Sequence, residues 1–209
     1  MENIIIFCAH SDDSEISLGG TILKYSEKYN IIKVIYSAGE LSSPHLKQSY
    51  IMGERVKETE KISKKMGVKE NIYFELMDQK LLKFSDDEGI LNKTKEIIIK
   101  YKPKKIFMLT SIDPHPDHRA TNKIVNNVLK ELKYKGELYG YEVWNIIKLD
   151  EPIVYEDITP FMKKKIQLMH EFKSQWFSIY LLLIPTYIRA FLNGKKIKVK
   201  YAERFFKLQ

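Results

Sequence analysis

Short β-branched runs alternate along the chain with longer stretches in which apolar residues recur every three or four positions. Strand-like runs lie at residues 3–9, 31–37, 71–76, 105–110 and 138–144, and helical spacing fits 14–29, 51–66, 88–101 and 119–133 between them. Gly67 directly after Met66, and Pro103 shortly after Tyr101, predict helix stops. Strands each separated by a helix predict parallel pairing through right-handed crossovers. The pattern therefore predicts an α/β fold: a doubly wound, Rossmann-like, mostly parallel sheet with helices on both faces. After Trp144 the alternation weakens. Ile153-Val154-Tyr155 predicts one more strand, ending at Ile158-Thr159-Pro160. Thr159 then reads as an N-cap, with Pro160 at the first position of a helix over 161–172. At 209 residues the chain suits one domain: an α/β core over 1–145 and a helical and loop extension over 146–209 packed on it.

Two polar clusters interrupt this pattern just past strand ends. His10-Ser11-Asp12-Asp13 follows the first apolar run, and His115-Pro116-Asp117-His118 follows the fourth. In a sheet ordered 3-2-1-4-5, those two strands are neighbours where the winding reverses, and ligands bind outside the carboxyl ends of strands at such a point. Neighbouring strands lie about 4.8 Å apart, so loops distant in sequence can meet there. His10, Asp13 and His118 then supply two imidazoles and a carboxylate, a donor set suited to a catalytic zinc with one open position. Ferrous iron can occupy the same set. Asp12, beside a ligand but pointing elsewhere, is placed to accept the proton of an attacking water. His115 can donate to an oxyanion or to a leaving amine, and Asp117 can orient an imidazole ring. Plainer readings remain open for each cluster alone. Asp12 and Asp13 can be a helix N-cap pair, and His115-Pro116-Asp117-His118 can be a turn with Asp117 as N-cap. His45 reads as a solvated loop residue, and His170 as a helix cap or core residue.

Composition narrows the partners. The one cysteine, Cys8, lies inside the first apolar run and excludes an intramolecular disulfide, which fits a reducing, cytoplasmic setting. The net charge of +8 rests mostly on lysines interspersed with glutamates, without an arginine cluster or nucleic-acid-binding signature, so a solvated basic surface is expected rather than a nucleic-acid partner. The apolar stretch 176–192 contains Pro185 and Arg189, and its uncharged part is shorter than the ~20 residues of a membrane span. It is expected to be a packed helix, a wall over the site or an oligomer contact, and a peripheral membrane contact stays open beside Lys195, Lys196 and Lys198. Together with the loop 41–50 it is placed to shape the mouth of the pocket. The first strand-to-helix turn lacks G-x-G-x-x-G and carries acids where a phosphate would need bare N–H groups, against a nucleotide-binding module.

The stretch from His10 through Asp13 to Glu15 and Gly19-Gly20 resembles the A-H-[P/A]-D-D-x-E signature of the PIG-L/LmbE-type de-N-acetylases, and His115-Pro116-Asp117-His118 resembles their H-P-D-H. Ser37-Ala38-Gly39-Glu40, Arg55 with Glu58, Asp78, Tyr141-Glu142-Val143-Trp144, His170, Ser174-Gln175 and Tyr201-Ala202-Glu203 are similar to further family segments, so the likeness covers nearly the whole chain. Ser11 replaces the commoner proline, and Ser17 stands where glycine is frequent. The resemblance implies zinc held by His10, Asp13 and His118, Asp12 as general base, and His115 stabilising the tetrahedral intermediate with support from Asp117. It also implies that Arg55 contacts substrate hydroxyls and that the substrate is a small N-acetylglucosaminyl compound. The rival readings are a metal-dependent hydrolase of another amide or ester, and an inactive sugar-binding relative.

Overall fold

A computed structural model describes residues 1–42 and 47–209. His45 and the middle of the loop expected to shape the pocket mouth lie outside the described residues. The elements run β1 (Glu2–Cys8), α1 (Asp13–Tyr25), β2 (Tyr29–Ile35), α2 (Gln48–Met66), β3 (Glu70–Tyr73), α3 (Glu88–Tyr101), β4 (Lys105–Leu109), α4 (Pro116–Glu131) and β5 (Glu137–Tyr141). They continue through β6 (Ile153–Asp157), α5 (Met162–Met169), α6 (Trp176–Lys196) and β7 (Ala202–Lys207).

Seven strands form one sheet in the order β3-β2-β1-β4-β5-β7-β6. The first five pair in parallel, with Ile4 opposite Ile31 on one side and Ile5 opposite Ile106 on the other. The expected 3-2-1-4-5 order and doubly wound architecture are thus present. Residues 4–9 of β1 and its exit are buried, as an unbroken apolar run in a parallel sheet covered on both faces requires. On one face α3 packs against α4; on the other α1 touches α2, α5 and α6. Gly67 ends α2 at φ +79°, where the Val68 N–H reaches back to the Ser63 carbonyl, as its position predicted.

The structure departs from the sequence reading in four places. The extension does not stay outside the sheet: β7 inserts antiparallel between β5 and β6. The expected N-cap role of Thr159 is not seen. α5 starts at Met162 behind Phe161, because the N–H groups of Phe161 and Met162 both turn back onto the Ile158 carbonyl. Thr159 instead accepts from the Tyr201 N–H through its hydroxyl and so ties the entry of α5 to the start of β7. α4 begins at Pro116, three residues earlier than its apolar spacing suggested, because proline suits the first helical turn. Finally, α1 is broken at Leu18 (φ −129°, ψ 25°) and stops before Tyr29, which already belongs to β2. Gly20 lies beside the break because a Cβ there would meet Ile158 at 2.7 Å.

That break is held from afar. The Glu203 carboxylate on β7 accepts from the Gly20 and Thr21 N–H groups at 2.9 and 2.7 Å, and so caps the second half of α1. Lys165 on α5 donates to the Ile16 carbonyl at 2.7 Å and pairs with Glu203 at 2.8 Å. All these groups are buried, so the Gly20 and Thr21 N–H groups and the Ile16 carbonyl freed near the break each have a partner.

Candidate metal and catalytic site

β1 and β4 end side by side, and the loops leaving them carry the two clusters to one place. The geometry turns on Asp13, the first residue of α1. Its Oδ2 accepts the His10 backbone N–H at 2.8 Å, which aims Oδ1 inward. Asp13 Oδ1 lies 3.4 Å from His118 Nε2 and 3.7 Å from His10 Nδ1. The facing donor atoms of His10, Asp13 and His118 all fall within 4.8 Å of one another. Asp13 and His118 are fully buried, yet neither Asp13 Oδ1 nor His118 Nε2 has a hydrogen-bond partner among the described residues. Buried polar atoms left without partners and converging on one point are costly unless something fills that point. Two imidazole nitrogens and a carboxylate oxygen at this spacing fit a divalent cation. A second grouping, His10, His115 and Asp117, is also close. It is the weaker candidate, because both Asp117 oxygens are already occupied by the Gln79 and Leu81 N–H groups at 2.7 and 3.1 Å.

Carboxylates lie behind both imidazole rings of this group. His10 Nε2 lies 3.3 Å from Asp78 Oδ1 and 3.4 Å from Asp117 Oδ2. His118 Nδ1 lies 3.1 Å from Asp113 Oδ1, close to it but not aligned as a hydrogen bond. Metal-ligating histidines commonly hold their second nitrogen this way. Asp113 was not foreseen. Its signal in the chain is the alternation Asp113-Pro114-His115-Pro116-Asp117-His118, and it is wholly buried, accepting the His115 N–H at 2.8 Å. Asp78, noted in the sequence only for its family likeness, faces His10, with its own N–H held by Glu40 at 2.9 Å.

His115, not Asp117, is the N-cap of α4. Its Nδ1 accepts the Asp117 N–H at 3.2 Å, which leaves the ring proton on Nε2. Asp117 thus supports His115 through its backbone, while its carboxylate turns to His10. Asp12 precedes α1 without a side-chain cap bond, so the plainer N-cap reading of its carboxylate is not what the structure shows. Arg55 is buried, with Nη1 donating to the Ala38 carbonyl at 2.7 Å and to that of Gly39. Gly39, at φ +74°, is required there, since a Cβ would overlap the guanidinium. His170 is the exposed C-cap of α5 and stands outside this group.

Electrostatics separates the two adjacent aspartates. Burial raises the Asp12 carboxyl pKa, and Asp13 adds to the rise against the pull of Arg55. Burial also works to raise Asp13, but His118 and His10 overcome it and hold this carboxyl well below the ordinary range. Burial lowers the imidazoles' basicity; Asp13 and Asp113 nonetheless lift His118 to about 9, and Asp117, Asp13 and Asp78 lift His10 well above its usual value. His115 moves the other way, lowered by burial and by the two neighbouring imidazoles. Asp12 and His115 line an open cleft of about 360 Å³ with Arg55, Trp144, Gln175 and Leu181, a size that suits a small ligand.

The chain matches the family described as PIG-L: GlcNAc-PI de-N-acetylase over residues 5–129. The protein belongs to the PIG-L family. The N,N'-diacetylchitobiose deacetylase of Pyrococcus horikoshii, solved with an inhibitor, is 26% identical, with TM-score 0.81 over 98% of this chain and 82% of that one. A deacetylase from the teicoplanin biosynthesis pathway is 15% identical, with TM-score 0.81 over 98% and 96% of the two chains. GalB of Pseudomonas putida KT2440, a 4-carboxy-2-hydroxymuconate hydratase, is 17% identical with TM-score 0.87 over 100% and 97%. The last two likenesses are of fold alone.

Proposed function

We propose that this protein is a metal-dependent N-deacetylase that hydrolyses the acetamido group of a GlcNAc-type sugar or glycoconjugate, releasing acetate and a free amine. The observation that carries the reading is the pair of buried, partnerless ligand atoms, Asp13 Oδ1 and His118 Nε2, beside a cleft lined by Asp12 and His115. Zinc, or ferrous iron, held by His10, Asp13 and His118 would polarise the acetyl carbonyl and acidify an attacking water. Asp12, whose pKa burial raises and whose carboxylate is thereby made more basic, accepts a proton as the water oxygen bonds to the carbonyl carbon. His115 presents its Nε2–H to the carbonyl oxygen as negative charge develops there. The C–N bond then breaks as Asp12 or His115 returns a proton to the departing nitrogen. Asp117 keeps the His115 tautomer through its N–H, and Asp113 and Asp78 hold the ligand rings. Arg55 meets substrate hydroxyls at the cleft wall with the donors not committed to Ala38 and Gly39. The family and the deacetylases similar in fold support the reaction class. A cytoplasmic setting belongs to the same proposal, supported by a sole thiol that is buried.

The test is a mass-spectrometric screen of the purified, metal-loaded protein against acetylated amino sugars, N-acetylated amino acids and phosphoesters. Loss of 42 mass units (approximately one acetyl group replaced by hydrogen) from the amino sugars is expected. Turnover of phosphoesters alone, or of no amide at all, would end the proposal.

A further inference from the structure

α6 carries a face that the protein itself does not cover. Trp176, Phe177, Tyr180, Leu181, Ile184 and Tyr187 are exposed along it, and Ile188, Phe191 and Leu192 continue the same stripe at helical spacing. The opposite stripe, Ile179, Thr186, Ala190 and Gly194, is buried where the helix packs on β6, β7 and α5. Beside the exposed stripe, a groove of about 390 Å³ lined by Trp144, Ile146, Leu182, Pro185 and Ile188 widens the apolar surface. Trp144 and Leu182 also line the candidate catalytic cleft, so the apolar face and the mouth of that cleft are continuous.

Along the helix and its flanks the charge has one sign, and Glu142, the one acid lining the groove, is buried against Arg204 and Arg189. From Lys173 to Lys200 there is no aspartate or glutamate, while Lys173, Lys195, Lys196, Lys198 and Lys200 are all exposed. Lys195 Nζ sits 4.5 Å from the centre of the Phe191 ring, placing a cation at the edge of the stripe. Aromatic side chains, aliphatic side chains and a lysine rim without acids are the composition of a helix that lies in the headgroup layer of an anionic membrane. A second copy of this chain meeting the same face would bring two acid-free lysine rims together, with nothing to neutralise them. By length and composition the segment Lys173–Lys196 is also apolar enough to cross a bilayer. Crossing would strip the buried stripe from the sheet and break the bond of Arg189 to the Val143 carbonyl at 2.6 Å.

We propose that the exposed face of α6 docks on an anionic lipid bilayer, with the helix parallel to the surface and the catalytic cleft opening beside the headgroups. Flotation of the full chain with vesicles tests this. Partitioning onto equimolar phosphatidylglycerol and phosphatidylcholine is expected to exceed that onto phosphatidylcholine alone at least tenfold, and to fall as salt is raised. The double substitution Phe177→Glu and Ile184→Glu, at positions lining neither cavity, is expected to lower it at least tenfold with the thermal midpoint retained. Lys195→Gln with Lys196→Gln and Lys198→Gln is expected to remove the salt-sensitive part. The proposal is overturned if the unaltered protein does not float with anionic vesicles at low salt, or if both variants float as it does. It is equally overturned if light scattering finds a stable dimer that the glutamates dissociate while vesicles are ignored, since α6 would then be a contact between copies. None of these readouts uses turnover, so they stand or fall apart from the proposed reaction.

Discussion

Asp12 and Asp13 show how far one position separates two carboxylates. Asp13 is pinned by the His10 N–H and faces the imidazoles, whereas Asp12 faces the cleft with its pKa raised by burial. Asp12→Ala is therefore expected to slow hydrolysis by about 10²–10⁴-fold while bound metal, measured by plasma mass spectrometry, stays unchanged. Loss of the ion in parallel would make Asp12 a ligand instead. Asp113 acts at one remove. Asp113→Asn is expected to weaken metal affinity about 10–100-fold in a chelator competition, because His118 would lose the group that faces its Nδ1. Cys8, next to the site, is inert for a physical reason: burial pushes its thiol up to about 12, despite the nearby Lys33. Iodoacetamide labelling at pH 8 should report global unfolding only, and fast labelling of the native protein would contradict the structure. At this scale the convergence of His10, Asp13 and His118 was legible because histidines are few and sit just past strand ends. Asp113 was not, since an aspartate before Pro114 reads as a turn until the sheet brings His118 against it.

Among the elements, α1 gives the clearest case of what periodicity cannot reveal. Apolar spacing carries through residue 18 without a signal, yet the helix breaks there, because its caps come from β7 and α5 far along the chain. Glu203→Ala is expected to cost about 3–5 kcal/mol in urea unfolding, since it leaves Lys165 buried without its counter-charge and two N–H groups without an acceptor. Adding Lys165→Met should recover part of that loss; a double variant no better than the single one would assign the cost to the helix cap alone. The start of α4 was misplaced for a related reason. Its first turn, Pro116 to His118, is polar because it builds the site, so the apolar pattern began only after the helix had.

Across the whole molecule, the parallel half of the sheet was readable from alternation; of the antiparallel half, β6 was readable as the run Ile153-Val154-Tyr155, and β7 was not. β7 carries Arg204 and Lys207 among its aromatics, and no turn signal joins it to β6; its place is fixed only by neighbours on both sides. Long-range charge contributes modestly. Lys65 holds the Glu171 carboxyl below its ordinary range against a small opposing effect of burial, with Lys61 adding to the pull, and this joins the end of α5 to α2. A lowered folded pKa stabilises above the unfolded value and is lost as pH falls through the folded one. Glu171→Gln is thus expected to cost under about 1 kcal/mol at pH 7, the lysines being partly solvated, and the difference from the unaltered protein should vanish as pH falls below the lowered folded-state value. A gap that widens in acid would reverse the assignment. The insertion of β7 carries a consequence for folding. β6 has no other neighbour in the sheet, and Glu203 rides on β7. Until β7 is threaded between β5 and β6, the Gly20 and Thr21 N–H groups have no acceptor, so the helix that starts at Asp13 gains its brace only when a strand whose Glu203 lies 183 residues beyond Gly20 is in place.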